Sequence, residues 1–174
     1  MTVFVISDLH LGHKNICRWS PKRRGPDVEA HDAWIIEQWN SVVKKRDVVW
    51  VLGDVAFSHE GLAKVPLLNG MKYLITGNHD KYRAEAYQEH FKLKPGICRL
   101  KGMWLSHAPI HPSELRGRLN IHGHSHDSHM LFHGSTERDY GYYNVCVEAC
   151  EGKPVDIAVL IEHKLKHKLE GFYD

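Results

Sequence analysis

Cysteine is scarce in this chain. Its four copies, Cys17, Cys98, Cys146 and Cys150, form no CxxC pair and stand at no histidine spacing that would build a zinc finger. They read as reduced, mostly buried thiols of a cytoplasmic protein. No apolar run approaches the ~20 residues of a membrane span. Thr2 to Ile6 has no basic segment before it and is too short for an export signal, so a strand is expected there. Excess charge is lacking too: 23 basic against 21 acidic residues leave a formal +2. That balance speaks against a dedicated nucleic-acid coat but leaves room for a nucleotide at a local basic patch. Linkers, internal repeats and low-complexity segments are missing, and residues 1–174 are expected to form one domain.

Histidine, by contrast, is abundant, with 15 copies. Imidazole is the commonest metal ligand and a versatile acid-base group, so the excess points toward a metal enzyme.

Val3 to Ile6, Val48 to Leu52 and Met71 to Thr76 are short β-branched and aromatic runs, the texture of strands buried on both faces. Between the first two, Val28, Ile35, Trp39, Val42 and Val43 recur at helical spacing from Asp27 to Lys45, with Asp27 as N-cap. Shorter helices are expected at Glu60 to Leu68 and Tyr82 to Phe91, the latter ended by Lys94-Pro95-Gly96. This alternation implies a parallel sheet with right-handed crossovers. The second half reads differently. Ile97 to Leu100, Met103 to Ser106, Leu119 to His122, Tyr142 to Val147 and Val155 to Ile161 are expected strands, with Lys101-Gly102 as a hairpin tip. Glu162 to Asp174 is a charged tail expected to fray. Trp34, Trp39 and Trp50 belong to the core.

Five segments end in ligand-type residues: Asp8-x-His10, Gly53-Asp54, Gly77-Asn78-His79-Asp80, His107 and Gly123-His124-Ser125-His126. Alternate residues of an extended segment point the same way, so Asp8 with His10, and His124 with His126, can each face one cation. Asp54 has two oxygens with which to bridge two cations, and Asn78 offers a neutral oxygen. Such a mixed nitrogen and oxygen set suits two divalent ions from among Mn, Fe, Zn, Co and Ni, rather than Ca or Cu(I). A metal pair can activate water and clamp phosphate oxygens.

In this order, the five motifs resemble the signature of the calcineurin-like metallophosphoesterases over about Val3 to His126. Small bacterial and phage members are similar in length. The resemblance implies an α/β fold with two facing sheets flanked by helices, mixed parallel and antiparallel. It further implies that Asp8, His10, Asp54 and His126 hold one metal, while Asp54, Asn78, His107 and His124 hold the other. His79 would stand by the leaving-group oxygen as proton donor or charge stabiliser, and Asp54 would be catalytic as the bridge. The expected activity is hydrolysis of a phosphodiester or phosphomonoester by metal-activated hydroxide. One departure is plain: the phosphoprotein phosphatase branch has an aspartate and an arginine soon after Gly-Asp, whereas here Val55-Ala56-Phe57-Ser58 follows. That speaks against protein Ser/Thr phosphatase activity and leaves Asp80 as the candidate partner of His79.

His13 and Lys14, close to Asp8 and His10, are candidate substrate contacts. Arg23, Arg24, Arg116 and Arg118 could grip phosphate, but the expectation is solvated surface. His129 to Tyr143 is either a loop over the pocket or an exposed connection. The expected partner is a small phosphate ester or nucleotide. The alternatives are a scaffold that keeps the fold without catalysis and a nuclease acting on nucleic-acid ends. The first would have lost ligands, which this chain retains; the second is disfavoured by the small net charge.

Overall fold

The computed structural model describes residues 1–169. Two sheets face each other. The first runs β4-β3-β2-β1-β9, from β1 (Val3–Ile6), β2 (Val48–Val51), β3 (Met71–Ile75), β4 (Lys92–Lys94) and β9 (Val155–Asp156); the second runs β5-β6-β7-β8, from β5 (Ile97–Leu100), β6 (Met103–Ser106), β7 (Asn120–His122) and β8 (Tyr142–Asn144). Strands β1 to β4 are parallel, and β9 joins β1 antiparallel. In the second sheet only the β5–β6 hairpin is antiparallel. Its tip is the expected Lys101-Gly102, with φ of 51° and 73°, the two positive values that a tight two-residue hairpin needs.

Alternation along the strands builds two cores. Phe4, Ile6, Val49, Val51 and Leu74 turn toward Ile35, Trp39 and Val43, on and just after α2 (Val28–Val42), whose N-cap Asp27 accepts from Ala30. Val5, Leu52 and Ile75 point the other way, onto Met103, Leu105, Ile121 and Val145 of the second sheet. Trp39 is wholly buried, while Trp34 and Trp50 are half-buried. All four cysteines are free, and only Cys146 is fully buried. No described helix is long and apolar enough to cross a membrane.

Several expected elements differ. Tyr82 to Phe91 shrinks to α4 (Ala84–Gln88), and Lys92–Lys94 becomes a fourth parallel strand. It is a sheet edge, where lysine blunts pairing with other chains, and three charged-apolar-charged residues give too short a period to identify. Glu60 to Leu68 splits into α3 (His59–Leu62) and a 3-10 turn at Val65–Leu67 that admits Pro66. Val155 to Ile161 is a strand only at Val155–Asp156. From there α6 (Ile157–Leu169) runs through much of the expected fraying tail. Ile157, Leu160 and Ile161 bury themselves at i, i+3 and i+4, and Asp156 Oδ1 accepts from Ala158 N–H, a helix start inside what reads as one apolar run. The remainder of that tail, residues 170–174, lies outside the described residues. Tyr142 to Val147 stops as a strand at Asn144 because the chain then pairs with Ser7, through Ser7 N–H to Val145 O and Val147 N–H to Ser7 O.

Candidate metal centre

Parallel strands deliver their C-terminal ends to one edge, and both sheets do so here. Asp8, Asp54 and Asn78 follow β1, β2 and β3; His107 and His124 follow β6 and β7. Within each sheet, backbone bonds tie neighbouring strand ends together: Asp8 N to Gly53 O (3.0 Å) and His10 N to Asp54 O (3.0 Å) in the first, Gly123 N to His107 O (2.8 Å) in the second. Crowding is severe: a Cβ on Gly77 would collide with Asp54 Oδ1, and one on Gly123 with Ser7 and Asp8 Oδ2. Five of the predicted residues, Asp8, His10, Asp54, His124 and His126, have positive φ, between 48° and 66°. Non-glycine residues seldom enter that region, and such outliers cluster at functional sites.

The structure brings together Asp8, His10, Asp54, Asn78, His107, His124 and His126. Asp54 Oδ2 stands between two imidazoles, 3.8 Å from His10 Nε2 and 3.6 Å from His107 Nε2. His10 Nε2 lies 3.6 Å from Asp8 Oδ1, and His126 Nε2 lies 3.9 Å from the same oxygen. Asn78 Oδ1 is 2.8 Å from His107 Nε2 and 3.0 Å from His124 Nδ1. Atoms of Asp8, His10 and His126, and of Asp8, Asp54 and His107, lie within 4.8 Å of one another.

The donor chemistry fits cations. Asp8 Oδ1 and His10 Nε2 are buried without a hydrogen-bond partner, a costly state for a carboxylate and an imidazole unless an ion faces them. His107 Nδ1 meets the Leu52 carbonyl at 2.7 Å, so in the neutral ring it carries the proton. Nε2 then presents a lone pair to Asn78 Oδ1 and Asp54 Oδ2, acceptors that a cation between them would reconcile. Burial alone would raise the Asp8 pKa, but the His10 ring and the Ser7 hydroxyl hold it well below the usual carboxylate range. Burial lowers the His10 pKa to about 4, so near neutrality the ring is uncharged and one nitrogen keeps a free lone pair.

A supporting shell surrounds these groups that the sequence did not reveal. Asp8 Oδ2 accepts from Ser7 Oγ (2.6 Å), His124 N (2.9 Å) and Cys146 Sγ (3.2 Å), which turns Oδ1 toward the cluster. His126 Nδ1 donates to buried Glu148 Oε1 at 3.0 Å, pointing Nε2 inward. Glu148 in turn holds Arg23, through Nε at 2.7 Å and Nη2 at 3.2 Å, and Arg23 also donates to the carbonyls of Asp8 and Leu9. Burial would raise the Glu148 pKa, yet His126 and Arg23 bring it down to about 2. Arg23 is thus no solvated surface residue, being 4% exposed. Arg24 and Arg116 are exposed as expected, and Arg118, half-buried, lies over Trp104. Asp80 differs from its expected role as well. Its carboxylate accepts from the backbone N–H groups of Asp54 (2.8 Å), Val55 (2.9 Å) and Gly77 (2.8 Å), clamping two site loops instead of orienting the His79 ring.

His79 lies beside the cluster, its ring 6.1 Å from the His10 ring and 4.8 Å from the Phe57 ring, and its backbone N–H donates to Asp54 Oδ1 at 2.9 Å. It borders a cavity of about 420 Å³ shared with His10, His13, Phe57 and His126. His13 therefore reaches the site. Lys14 is exposed, does not line that cavity, and acts on Glu60 by its charge. A second groove of about 540 Å³ runs from His107 past Trp104, Pro109 and Ile110. Of the stretch from His129 to Tyr143, the part up to Arg138 is a largely exposed loop with a Leu131–Arg138 bridge, and the rest turns inward at buried Asp139 to enter β8; His129 borders a further cavity with Lys22, Asp127 and Glu148.

Comparison with known proteins follows the same lines. Residues 1–143 match the model of the calcineurin-like phosphoesterase superfamily domain. The chain is 31% identical over 169 residues to the uncharacterized protein MJ1445 of Methanocaldococcus jannaschii, covering 92% of this chain and 89% of that one. It is 32% identical to the Gene 66 protein of Mycobacterium phage L5, covering 72% and 77%. Among solved structures, a protein of unknown function, AQ665 from Aquifex aeolicus, superposes with a TM-score of 0.70 at 28% identity over 92% of this chain and 98% of that one. The Pseudomonas putida nuclease MPE, at 19% identity and a TM-score of 0.52 over 75% and 64%, shares the fold. The family match runs from β1 into β8 and takes in every strand end that carries the cluster, and the chain belongs to the calcineurin-like phosphoesterase superfamily.

Proposed function

We propose that this protein is a phosphodiesterase that works with two divalent cations. One observation carries the reading: buried, unpartnered lone pairs of Asp8 and His10 converge with Asp54 and His107 on one edge of the fold. Asp8, His10, Asp54 and His126 would hold one cation, and Asp54, Asn78, His107 and His124 the other, with Asp54 shared. When bound, such a pair supplies a hydroxide nucleophile at neutral pH and neutralises phosphate charge. The two carboxylates offset only part of the charge of two dications, so the site favours an anionic substrate. His79, whose ring lies beside the cluster, would give a proton to the departing oxygen. The cavities on the His79 and His107 sides offer room for two ester substituents, which favours a diester over a monoester.

Hydrolysis of bis-p-nitrophenyl phosphate, followed with Mn added and with metal content measured, tests the reading. Wild-type protein should hold close to two ions per chain and turn the diester over. Asp54→Asn should abolish turnover. His79→Ala should lower it by about 10²- to 10⁴-fold with metal retained. Undiminished turnover in Asp54→Asn would overturn the mechanism, and wild-type metal content near zero would favour a fold kept without catalysis.

A further inference from the structure

The cavity beside His79 is walled by rings. Phe57 stacks on His10 with centroids 4.6 Å apart. His13 meets Phe57 edge-on at 4.3 Å and Trp19 at 5.3 Å. Trp19, the last residue of α1 (Ile16–Trp19), is 73% exposed on the same cavity, whereas the other four tryptophans are buried or half-buried. A large aromatic side chain left in water at a concave site is an observation that core packing does not explain. Lys22 and Asp127, an exposed ion pair, also line the cavity and supply a donor and an acceptor.

We infer that this slot takes a nucleobase, so that the substrate is a nucleoside phosphate ester whose base stacks on Trp19 while its phosphate reaches the metal centre. The inference rests on the assignment of the metal centre given above. Ring walls select a flat π-surface over an alkyl chain, since every base offers a face for stacking. The polar pair selects a heterocycle over a plain hydrocarbon ring, which would strip water from Lys22 and Asp127 without replacing its hydrogen bonds. A cavity of about 420 Å³ falls in the range of small-ligand sites.

The test compares binding of inorganic phosphate, ribose 5-phosphate and adenosine 5′-monophosphate to Mn-loaded wild type, Trp19→Ala and Trp19→Phe by calorimetry. Stacking is worth about 1–3 kcal/mol per base, so wild type should prefer the adenosine compound over ribose 5-phosphate by roughly 5- to 150-fold. Trp19→Ala should narrow that ratio at least fivefold by the same measure, and Trp19→Phe should keep most of it. Trp19 is solvent-exposed, so the variants should fold, and the ratio within each variant is the readout. Wild type that binds no phosphate at all would overturn the metal-centre reading. Phosphate binding without a preference for the base, or with a preference that survives in Trp19→Ala, would overturn the slot alone.

Discussion

Replacing Glu148 by glutamine tests whether His126 is held for metal binding or merely packed. In the structure Glu148 Oε1 accepts both from His126 Nδ1 (3.0 Å) and from Arg23 Nε (2.7 Å), while Oε2 accepts from Arg23 Nη2 (3.2 Å). A glutamine whose oxygen takes the Oε1 position keeps the two shorter bonds. It turns its amide toward Arg23 Nη2, a donor facing a donor, so the fold should survive with a modest loss. Its charge is gone, however, and a neutral acceptor polarises the imidazole less, making Nε2 a weaker ligand. Changes to the partner of a metal-ligating histidine typically lower affinity by about 10- to 100-fold, or about 1.4–2.8 kcal/mol. Mn binding to chelator-stripped protein, measured by calorimetry, should therefore weaken by that factor in Glu148→Gln while the apo melting temperature shifts little. Glu148→Ala is the contrasting case. It leaves the Arg23 guanidinium buried without its counter-ion, a loss of about 3–5 kcal/mol, and should lower the apo melting temperature sharply. Unchanged Mn affinity in a folded Glu148→Gln protein would refute the idea that this carboxylate acts through His126.

Two further outcomes follow from the structure. Asp80→Asn replaces one acceptor oxygen by an amide that faces a backbone N–H of the Asp54 and Gly77 loops; the unsatisfied donor should cost about 1–3 kcal/mol in thermal unfolding of the apo protein, and an unchanged melting temperature would contradict the clamp. Burial lowers the His163 pKa to about 4, despite its bond to the Tyr140 carbonyl, against about 6.5 in an unfolded chain. The unfolded state thus binds the proton more readily between those values, and stability should fall as pH drops from about 6.5 toward 4; His163→Phe, scanned in chelator, should show a shallower decline there than wild type, and parallel curves would count against the assignment.

The ligand-type residues that the structure gathers at one edge were legible in the sequence because their identities and order are sequence properties. The strands before them were legible because buried parallel strands read as unbroken apolar runs. What supports them was not. Glu148 lies 22 residues from His126 and Arg23 lies 125 from Glu148, separations at which no spacing rule applies. Arg23 even sits in a run of basic residues that reads as surface. The β9–α6 junction was missed for another reason: apart from Asp156, Val155 to Ile161 is apolar, and the capping bond that Asp156 accepts marks where the period changes from two to 3.6.

The positive-φ residues connect these strands of reasoning. A left-handed backbone costs a non-glycine residue about 1–2 kcal/mol, so Asp8, His10, Asp54, His124 and His126 together carry an opposing term of roughly 5–10 kcal/mol, as large as the net stability of many domains. Relaxing any one of them would swing its side chain away from the cluster. The groups that prevent this act largely on the main chain: Asp80 on the amides of Asp54, Val55 and Gly77, Arg23 on the carbonyls of Asp8 and Leu9, and Asp8 Oδ2 on the amide of His124. At about 1 kcal/mol or more for each bond, they offset a strain of that order. The ligand-type residues are therefore aimed by a frame of charged and polar side chains that grips their backbones. A substitution of Arg23, the member of that frame outside the motifs, should disturb the centre without touching any motif residue.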